Sequence, residues 1–384
     1  MLSIVPLPSD CKGARPNLRG VVLDTNSIFS VDYNAARRRF REAADAADWE
    51  VLNYPIGSHG PDGQELTIDV AIESGGSTDR ALVISSGMHG VEGFFGSAVQ
   101  LTLLREWHQR EGSRPPVRFV LLHGLCPYGF AWRRRVNEDN VDVNRNLLLE
   151  GELFQGCPAR YAELDKLLNP KAPPSTWEPV TLKLLAAIAR YGMPALKDAV
   201  ASGQYEYPQG LFFGGDRPSR TSEVLATYFD RWLGNSQRIT HLDLHSGLCK
   251  WAIPKLLIDY PITEVYRDRL SRWFGPNAFE ATDPTKTAYT VRGSFGRWCL
   301  SRAKGRDYTY AGAEFGTSKP MQVLAGLRAE NQAHHWGKND LSTERTKQRL
   351  VELFCPRSPQ WRSQVIEASH RLIKQAIDGL VAEP

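Results

Sequence analysis

The stretch from residue 81 to residue 96 constrains the fold more than any other part of this 384-residue chain. It begins with the apolar run 81–84, continues through the turn-forming residues 85–87 and leads into a helical pattern at 94–107. A short apolar run between such breakers is typical of a buried strand. A strand that leads through a tight turn into a helix is the repeating unit of a parallel α/β sheet. The segment therefore predicts one such unit.

The remaining apolar patterns alternate in the same way between strands and helices. We predict further strands at 66–72, 117–122, 239–244, 255–259 and 307–315, a turn at 56–64, and helices at 33–48, 180–201 and, as a pair, 343–380. This alternation predicts a single α/β domain, residues 1–384, with a mixed, mainly parallel central sheet and helices on both faces. Residues 150–235 interrupt the pattern and predict a helical and loop insertion. Its aromatic stretch 204–216 fits a packed loop and a pocket wall equally well.

Charge and cysteine content exclude several classes of function. The net charge is +4, with no long basic run, so nucleic acid and membrane surfaces are not expected partners. The amino-terminal residues lack the pattern of a secretory signal, and no apolar run has the length of a membrane span. The six cysteines form no Cys-x-x-Cys pair and fit reduced thiols in a cytoplasmic protein. The oligomeric state stays open.

A histidine and a glutamate directly after the 81–84 strand indicate a metal site. His89 and Glu92 are three residues apart, so they share one side of a helical turn. Two histidines, one glutamate and a water are a common ligand set of catalytic zinc. We predict His245 as the second histidine, the last residue of a strand in which Asp243 points to the same face and can orient its imidazole. His241, two positions deeper, is better explained as a structural residue.

Two further motifs carry charged side chains that suit an amide substrate with a free carboxylate. Arginines 133–135 and the Asn144-Arg145 pair can bind anions, because a guanidinium meets a carboxylate through two parallel hydrogen bonds. Glu314 ends another predicted strand. A carboxylate beside a metal-activated water can act as general base and then return the proton to the leaving amine.

In this order the motifs resemble the carboxypeptidase A-like zinc metallopeptidases and their relatives, the aspartoacylases and succinylglutamate desuccinylases. The resemblance spans roughly residues 80–320, with 150–235 outside it, and the Gly- and aromatic-rich segment 56–96 looks like that of a separate, mostly bacterial branch. It implies a zinc carboxypeptidase-like fold and the following site residues: His89, Glu92 and His245 as ligands of one zinc ion, Glu314 as the catalytic base, Asn144 and Arg145 as binders of the substrate carboxylate, and Tyr289, before Gly293-Ser294, as the family's mobile tyrosine.

The arginine that polarises the substrate carbonyl has two candidates. The spacing to Asn144 in the acylase branch favours Arg135, whereas the Trp-Arg pairing of the peptidase branch favours Arg133. We favour Arg135.

The resemblance implies a zinc-dependent hydrolase of amide bonds next to a free carboxylate. A metallocarboxypeptidase acting on a small peptide and a deacylase acting on an N-acyl amino acid would share these residues, so the motifs do not separate them. An insertion that covers the site would favour the smaller substrate. A non-catalytic zinc-binding protein is a third hypothesis, against which the presence of Glu314 argues.

Overall fold

In a computed structural model, the described residues are 25–75, 79–109, 114–193, 196, 202–281 and 291–383. They contain one sheet of eight strands in the order β1-β2-β4-β3-β5-β8-β6-β7. The strands are β1 (Trp49–His59), β2 (Glu65–Glu73), β3 (Arg80–Ser86), β4 (Arg118–His123), β5 (Arg238–Trp251), β6 (Pro254–Ile258), β7 (Phe279–Ala281) and β8 (Asp307–Gly316).

The sheet is mixed and mainly parallel, as the sequence predicted. β3 is parallel to β4 and to β5, β5 is parallel to β8, and β6 is parallel to β7. The pairs β1–β2, β2–β4 and β6–β8 are antiparallel. Because β3, β5 and β8 are parallel neighbours, their carboxyl ends meet at one edge of the sheet, where ligands of open α/β sheets bind.

The described helices are α1 (Thr25–Ile28), α2 (Tyr33–Ala46), α3 (Gly93–His108), α4 (Pro127–Trp132), α5 (Tyr161–Leu168), α6 (Val180–Tyr191), α7 (Arg220–Leu233), α8 (Glu264–Phe274), α9 (Phe295–Ser301), α10 (Pro320–Trp336), α11 (Leu341–Phe354) and α12 (Pro359–Ala382). Single 3₁₀ turns cover Gly90–Glu92 and Val143–Arg145. None of the helices in the described ranges is long and apolar enough to span a membrane.

Helices cover both faces of the sheet. On β8, Tyr308 contacts Phe229 of α7, whereas Phe315 contacts Phe95 of α3. Residues an odd number of positions apart in a strand point to opposite faces. α7 and α3 therefore lie on opposite faces, and their apolar side chains belong to one core that includes the sheet.

Residues 150–235 divide between two cores. Leu164 of α5, Leu184 of α6 and Phe212 pack with Leu327 and Leu350 in a second cluster, whereas α7 packs on the sheet.

The five cysteines in the described ranges are free thiols, and three of them are buried.

The predicted turn at 56–64 is wrong in its first half. β1 continues to His59, paired with Glu65, and the ladder shifts register between Pro55 and His59. An edge strand tolerates proline and an irregular ladder, because one side of the strand needs no hydrogen bonds.

The helix predicted at 180–201 corresponds to α6 only as far as Tyr191. α6 ends there because Gly192 takes a φ of 82°. Residues 194, 195 and 197–201 lie outside the described ranges.

Helix α10 was not predicted from the sequence. Its buried residues cover most of the helix surface and include Arg328, Glu330 and Asn331. A helix that buries polar side chains alongside apolar ones lacks the one-sided apolar stripe by which a sequence pattern is recognised.

Candidate metal centre and active site

His89 and Glu92 lie on a tight turn after β3. His89 has extended backbone, and the 3₁₀ turn Gly90–Glu92 begins directly after it. The turn packs so closely on α4 that a methyl group at Gly90 would lie 2.1 Å from the carbonyl carbon of Gly129. The backbone N–H of Gly90 also donates to the carbonyl of Arg135 at 3.1 Å. The close approach to Gly129 is one that only glycine permits at position 90.

His89, Glu92 and His245 converge in one buried cluster. Each offers one ligand atom, and these atoms lie within 4.8 Å of one another. Nδ1 of His89 lies 2.9 Å from Oε1 of Glu92, and Nδ1 of His245 lies 2.9 Å from Oε2 of the same carboxylate. Burial raises the pKa of Glu92, but the two imidazoles outweigh it and lower that pKa to about 2. Two imidazole nitrogens and an ionised carboxylate oxygen are a donor set that fits zinc.

Each histidine of the cluster has a buried carboxylate on its other ring nitrogen. Oδ1 of Asp142 lies 3.3 Å from Nε2 of His89, and Oδ2 of Asp243 lies 2.7 Å from Nε2 of His245. Such carboxylates fix the tautomer and the orientation of a ligating imidazole. This role was predicted from the sequence for Asp243. It was not predicted for Asp142, although Asp142 opens the Asp-Val-Asn-Arg-Asn motif at 142–146.

Only one of the three consecutive arginines lies at the cluster. Arg135 donates from Nε to Asp142 at 2.9 Å, and its Nη2 lies 2.6 Å from Nε2 of His89. Arg133, with a left-handed φ of 55°, pairs with Glu344 instead. Arg134 is fully buried and pairs with Glu330. Because an arginine only donates, Nε2 of His89 must accept in this contact, and Asp142 can accept a hydrogen bond from this ring only when Nε2 carries a proton instead.

Asn144 and Arg145 lie beside the cluster on the 3₁₀ turn Val143–Arg145. Oδ1 of Asn144 accepts from the backbone N–H of Phe295 at 2.9 Å. Arg145 is buried and lies within electrostatic range of Asp142 and Arg135. Burial lowers the pKa of Arg145, and Asp142 opposes this shift. A buried guanidinium of this kind favours an anionic ligand.

Glu314 lies opposite His245 in the β5–β8 register. Its Oε1 accepts from the backbone N–H of Leu248 at 2.7 Å. Burial and the neighbouring Glu92 raise the pKa of Glu314 to about 7, against the opposing effect of His245. The carboxyl group can therefore take up and release a proton near neutral pH. Tyr289, the remaining predicted site residue, lies outside the described ranges.

Residues from the 203–212 segment border this site directly. The ring of Phe212 lies 5.6 Å from the guanidinium carbon of Arg135. The hydroxyl of Tyr205 donates to the carbonyl of Arg145 at 2.8 Å, and a methyl group at Gly203 would lie 2.7 Å from Cδ of the same arginine. Part of the aromatic stretch 204–216 therefore borders the residues predicted to bind substrate.

The fold and the cluster define an α/β protein with a buried two-histidine, one-carboxylate centre at the carboxyl edge of its sheet. The chain belongs to the family described as protein of unknown function (DUF2817), which it matches over residues 29–368. No curated protein matches the sequence.

Several solved structures resemble the chain at low sequence identity. Carboxypeptidase A from Helicoverpa armigera is 10% identical, with 83% of this chain and 73% of that chain covered and a TM-score of 0.40. Murein-tripeptide amidase MpaA from Escherichia coli O157 is 16% identical, with 76% and 93% covered and a TM-score of 0.37. An aspartoacylase family protein from Mesorhizobium loti is 14% identical, with 75% and 67% covered and a TM-score of 0.36.

Proposed function

We propose that this protein is a zinc-dependent hydrolase of amide bonds that lie next to a free carboxylate. The observation that carries the proposal is the buried convergence of His89, Glu92 and His245 with Glu314 on the neighbouring strand. The motifs and their order support the same function.

The donor set of the cluster would hold the metal through His89, Glu92 and His245. A zinc ion bound there would supply Lewis acidity, which lowers the pKa of a bound water and polarises a carbonyl group. Ligation through Nδ1 of His89 would leave its Nε2 protonated and paired with Asp142. Arg135 would then lose its acceptor on that ring, so its guanidinium would be available to the substrate.

The protein side chains divide the remaining chemistry between them. Glu314 accepts a proton from the attacking water and delivers it to the departing amine, a role that suits a carboxyl group with a pKa of about 7. Arg135 donates hydrogen bonds to the oxygen of the former carbonyl. Arg145 and Asn144 hold the substrate carboxylate and so fix which amide bond reaches the metal. Tyr289 is proposed from its motif position alone to close over the substrate.

A deacylase acting on small N-acyl amino acids is the second candidate. Two aromatic contacts support it, because Phe212 packs against Arg135 and Tyr205 bonds to the carbonyl of Arg145. A restricted site favours a small acyl group over a long peptide. The rates at which the protein hydrolyses the same amide bond in N-acyl amino acids and in longer peptides separate the two candidates.

The test is a panel of substrates that all carry a free carboxylate next to the amide bond. We expect chelator-sensitive release of the amine product from hippuryl-type compounds, dipeptides or N-acyl amino acids, measured with the zinc-loaded protein. Glu314→Gln should retain stoichiometric zinc but lose at least about a hundredfold in kcat, since general base catalysis contributes roughly 10²–10⁴-fold. Glu367→Gln, at an exposed position on α12, is the control. Absence of release from the whole panel would support the non-catalytic zinc-binding hypothesis instead.

The carboxylate requirement has its own test. Arg145→Met should raise KM about 10- to 100-fold for free-acid substrates, because a charge-assisted hydrogen bond contributes about 1.5–3 kcal/mol. The same substrates with an amidated carboxylate should react poorly with both proteins. Arg133→Met is the matched control, because Arg133 pairs with Glu344 away from the cluster. An equal KM in Arg145→Met and in the parent protein would remove Arg145 from the substrate site.

A further inference from the structure

A buried hydrogen-bond network extends below His245 through three adjacent strands. It contains Ser85 of β3, His241 and Asp243 of β5, and Tyr308 and Tyr310 of β8, all of them buried. The register brings them together, because Ser85 pairs with Asp243 and His241 pairs with Tyr310. Paired residues of neighbouring strands point to the same face of the sheet. The network is therefore fixed by the sheet rather than by a loop.

Asp243 is the acceptor on which the network converges. Ser85 donates to its Oδ1 at 2.6 Å, whereas its Oδ2 accepts from the hydroxyl of Tyr310 at 2.9 Å and from Nε2 of His245 at 2.7 Å. A carboxylate only accepts, so each of these contacts fixes the direction of its donor. His245 must carry its proton on Nε2 to make this bond, and a metal would then meet Nδ1.

The same logic gives the direction of the outer part of the network. Ser85 uses its hydrogen on Asp243, so its contact with Nε2 of His241 at 2.7 Å requires that nitrogen to donate. Nδ1 of His241 then accepts from the hydroxyl of Tyr308 at 2.8 Å. Every hydrogen bond therefore runs toward Asp243. Tyr308 supports the far end of the network and does not contact the carboxylate.

The two carboxylates that orient the ligands differ in their surroundings. Asp142, behind His89, also accepts from Arg135 and from the backbone N–H of Asn144, so it belongs to the substrate-binding side. Asp243 takes its other hydrogen bonds from Ser85 and Tyr310 inside the core. A change in these two hydroxyls therefore affects the metal side of the site without touching the residues that would bind substrate.

We propose that Ser85 and Tyr310 are positioning residues that set the metal affinity of the centre by holding Asp243 against His245. The inference rests on the proposed metal site. Loss of one hydroxyl leaves Asp243 freer to rotate away from Nε2 of His245. Removal of a partner in such an outer shell typically costs about 10- to 100-fold in metal affinity.

The experiment measures zinc affinity rather than turnover. The full-length protein, Tyr310→Phe and Ser85→Ala are freed of metal and titrated with zinc in competition with a chromophoric chelator. Tyr308→Phe is the matched control, because it removes a hydroxyl from the same strand and face, two residues away, without touching Asp243. We expect the zinc Kd to rise about 10- to 100-fold in Tyr310→Phe and Ser85→Ala and less than about threefold in Tyr308→Phe.

The other outcomes are separable. Unchanged zinc Kd values in Tyr310→Phe and Ser85→Ala would overturn the inference while leaving the metal site intact. An equal rise in all three variants would also overturn it, because general loss of packing would then explain the effect. Failure of the parent protein to bind zinc would overturn the proposed function itself. Melting curves of the metal-free proteins identify any variant that fails to fold, and Tyr310→Phe and Ser85→Ala test the inference independently.

Discussion

At the scale of single residues, two neighbouring glutamates have pKa values that are shifted in opposite directions. The imidazoles of His89 and His245 lower the pKa of Glu92 to about 2, whereas burial and Glu92 itself raise the pKa of Glu314 to about 7. Environments that separate the pKa values of two neighbouring carboxyl groups assign them different roles. Glu92 is permanently ionised and suited to a cation, and Glu314 is suited to proton transfer.

The raised pKa of Glu314 predicts a pH-dependent cost in stability. The folded, metal-free protein binds the Glu314 proton more tightly than the unfolded chain, whose carboxyl group titrates near 4.5. Below that pH the carboxyl group is protonated in both states, so it does not lower the free energy of unfolding. Above about pH 7 the folded state holds a buried carboxylate, and the free energy of unfolding is lowered by the full amount. Glu314→Gln removes this cost and keeps an acceptor for the N–H of Leu248.

We therefore expect Glu314→Gln to gain stability relative to the parent protein as pH rises. The difference in the free energy of unfolding between the two proteins should grow by about 1 to 3 kcal/mol from pH 4.5 to pH 8. Urea unfolding in the presence of a chelator measures it at each pH. A difference that stays constant over this range would show that Glu314 has an ordinary pKa.

At the scale of elements, the ligand turn depends on close approach between two backbones. A side chain at Gly90 would collide with the backbone of Gly129 in α4, at 2.1 Å. Backbone atoms cannot move aside as a flexible side chain can, so the turn or the helix must shift. The positions of His89 and Glu92 depend on this contact.

We expect Gly90→Ala to weaken both folding and metal binding. The collision should destabilise the protein by about 2 kcal/mol or more, and the displaced ligands should raise the zinc Kd at least about tenfold. Gly75→Ala is the control, because its new methyl group would lie 3.5 Å from Nη1 of Arg114, the end of a flexible side chain. Wild-type zinc affinity in Gly90→Ala would show that the turn tolerates the shift.

At the scale of the whole molecule, the metal site connects distant parts of the chain. Glu92 and His245, which touch in the cluster, are 153 residues apart in sequence. A ligand that binds only the folded protein stabilises it by about 2.7 kcal/mol when its free concentration is 100 times its Kd. The metal should therefore act as a cross-link between β3 and β5.

We expect zinc to raise the Tm of the metal-free protein by several degrees, and a chelator to reverse the rise. For a chain of this size a gain of about 2.7 kcal/mol corresponds to a few degrees or more. His245→Ala should lose the zinc-dependent shift, and exposed His59→Ala should keep it. Calorimetry with and without zinc measures both. A shift of equal size in His245→Ala would remove this residue from the ligand set.

Much of this molecule follows from sequence patterns with clear physical causes. The apolar run 81–84 predicted a buried strand, because a strand covered on both faces by helices is mostly apolar. The positions of His89, His245 and Glu314 at the ends of strands predicted that they are neighbours, since parallel strands place their carboxyl ends at one edge of the sheet. The pattern failed at β1, where an irregular ladder accommodates turn-forming residues, and at α10, which buries polar side chains.

The sequence alone predicted six of the eight described strands, the chemical types available at the carboxyl edge of the sheet and the pair of histidines that share a glutamate. Only the tertiary structure decided which arginine reaches them, because packing between distant segments pairs Arg133 with Glu344 and places Arg135 against Asp142. It also decided that Asp142 lies behind His89 and that Ser85 and Tyr310 hold Asp243. Periodicity fixes which face a side chain occupies, but register and packing between distant segments fix what it meets there.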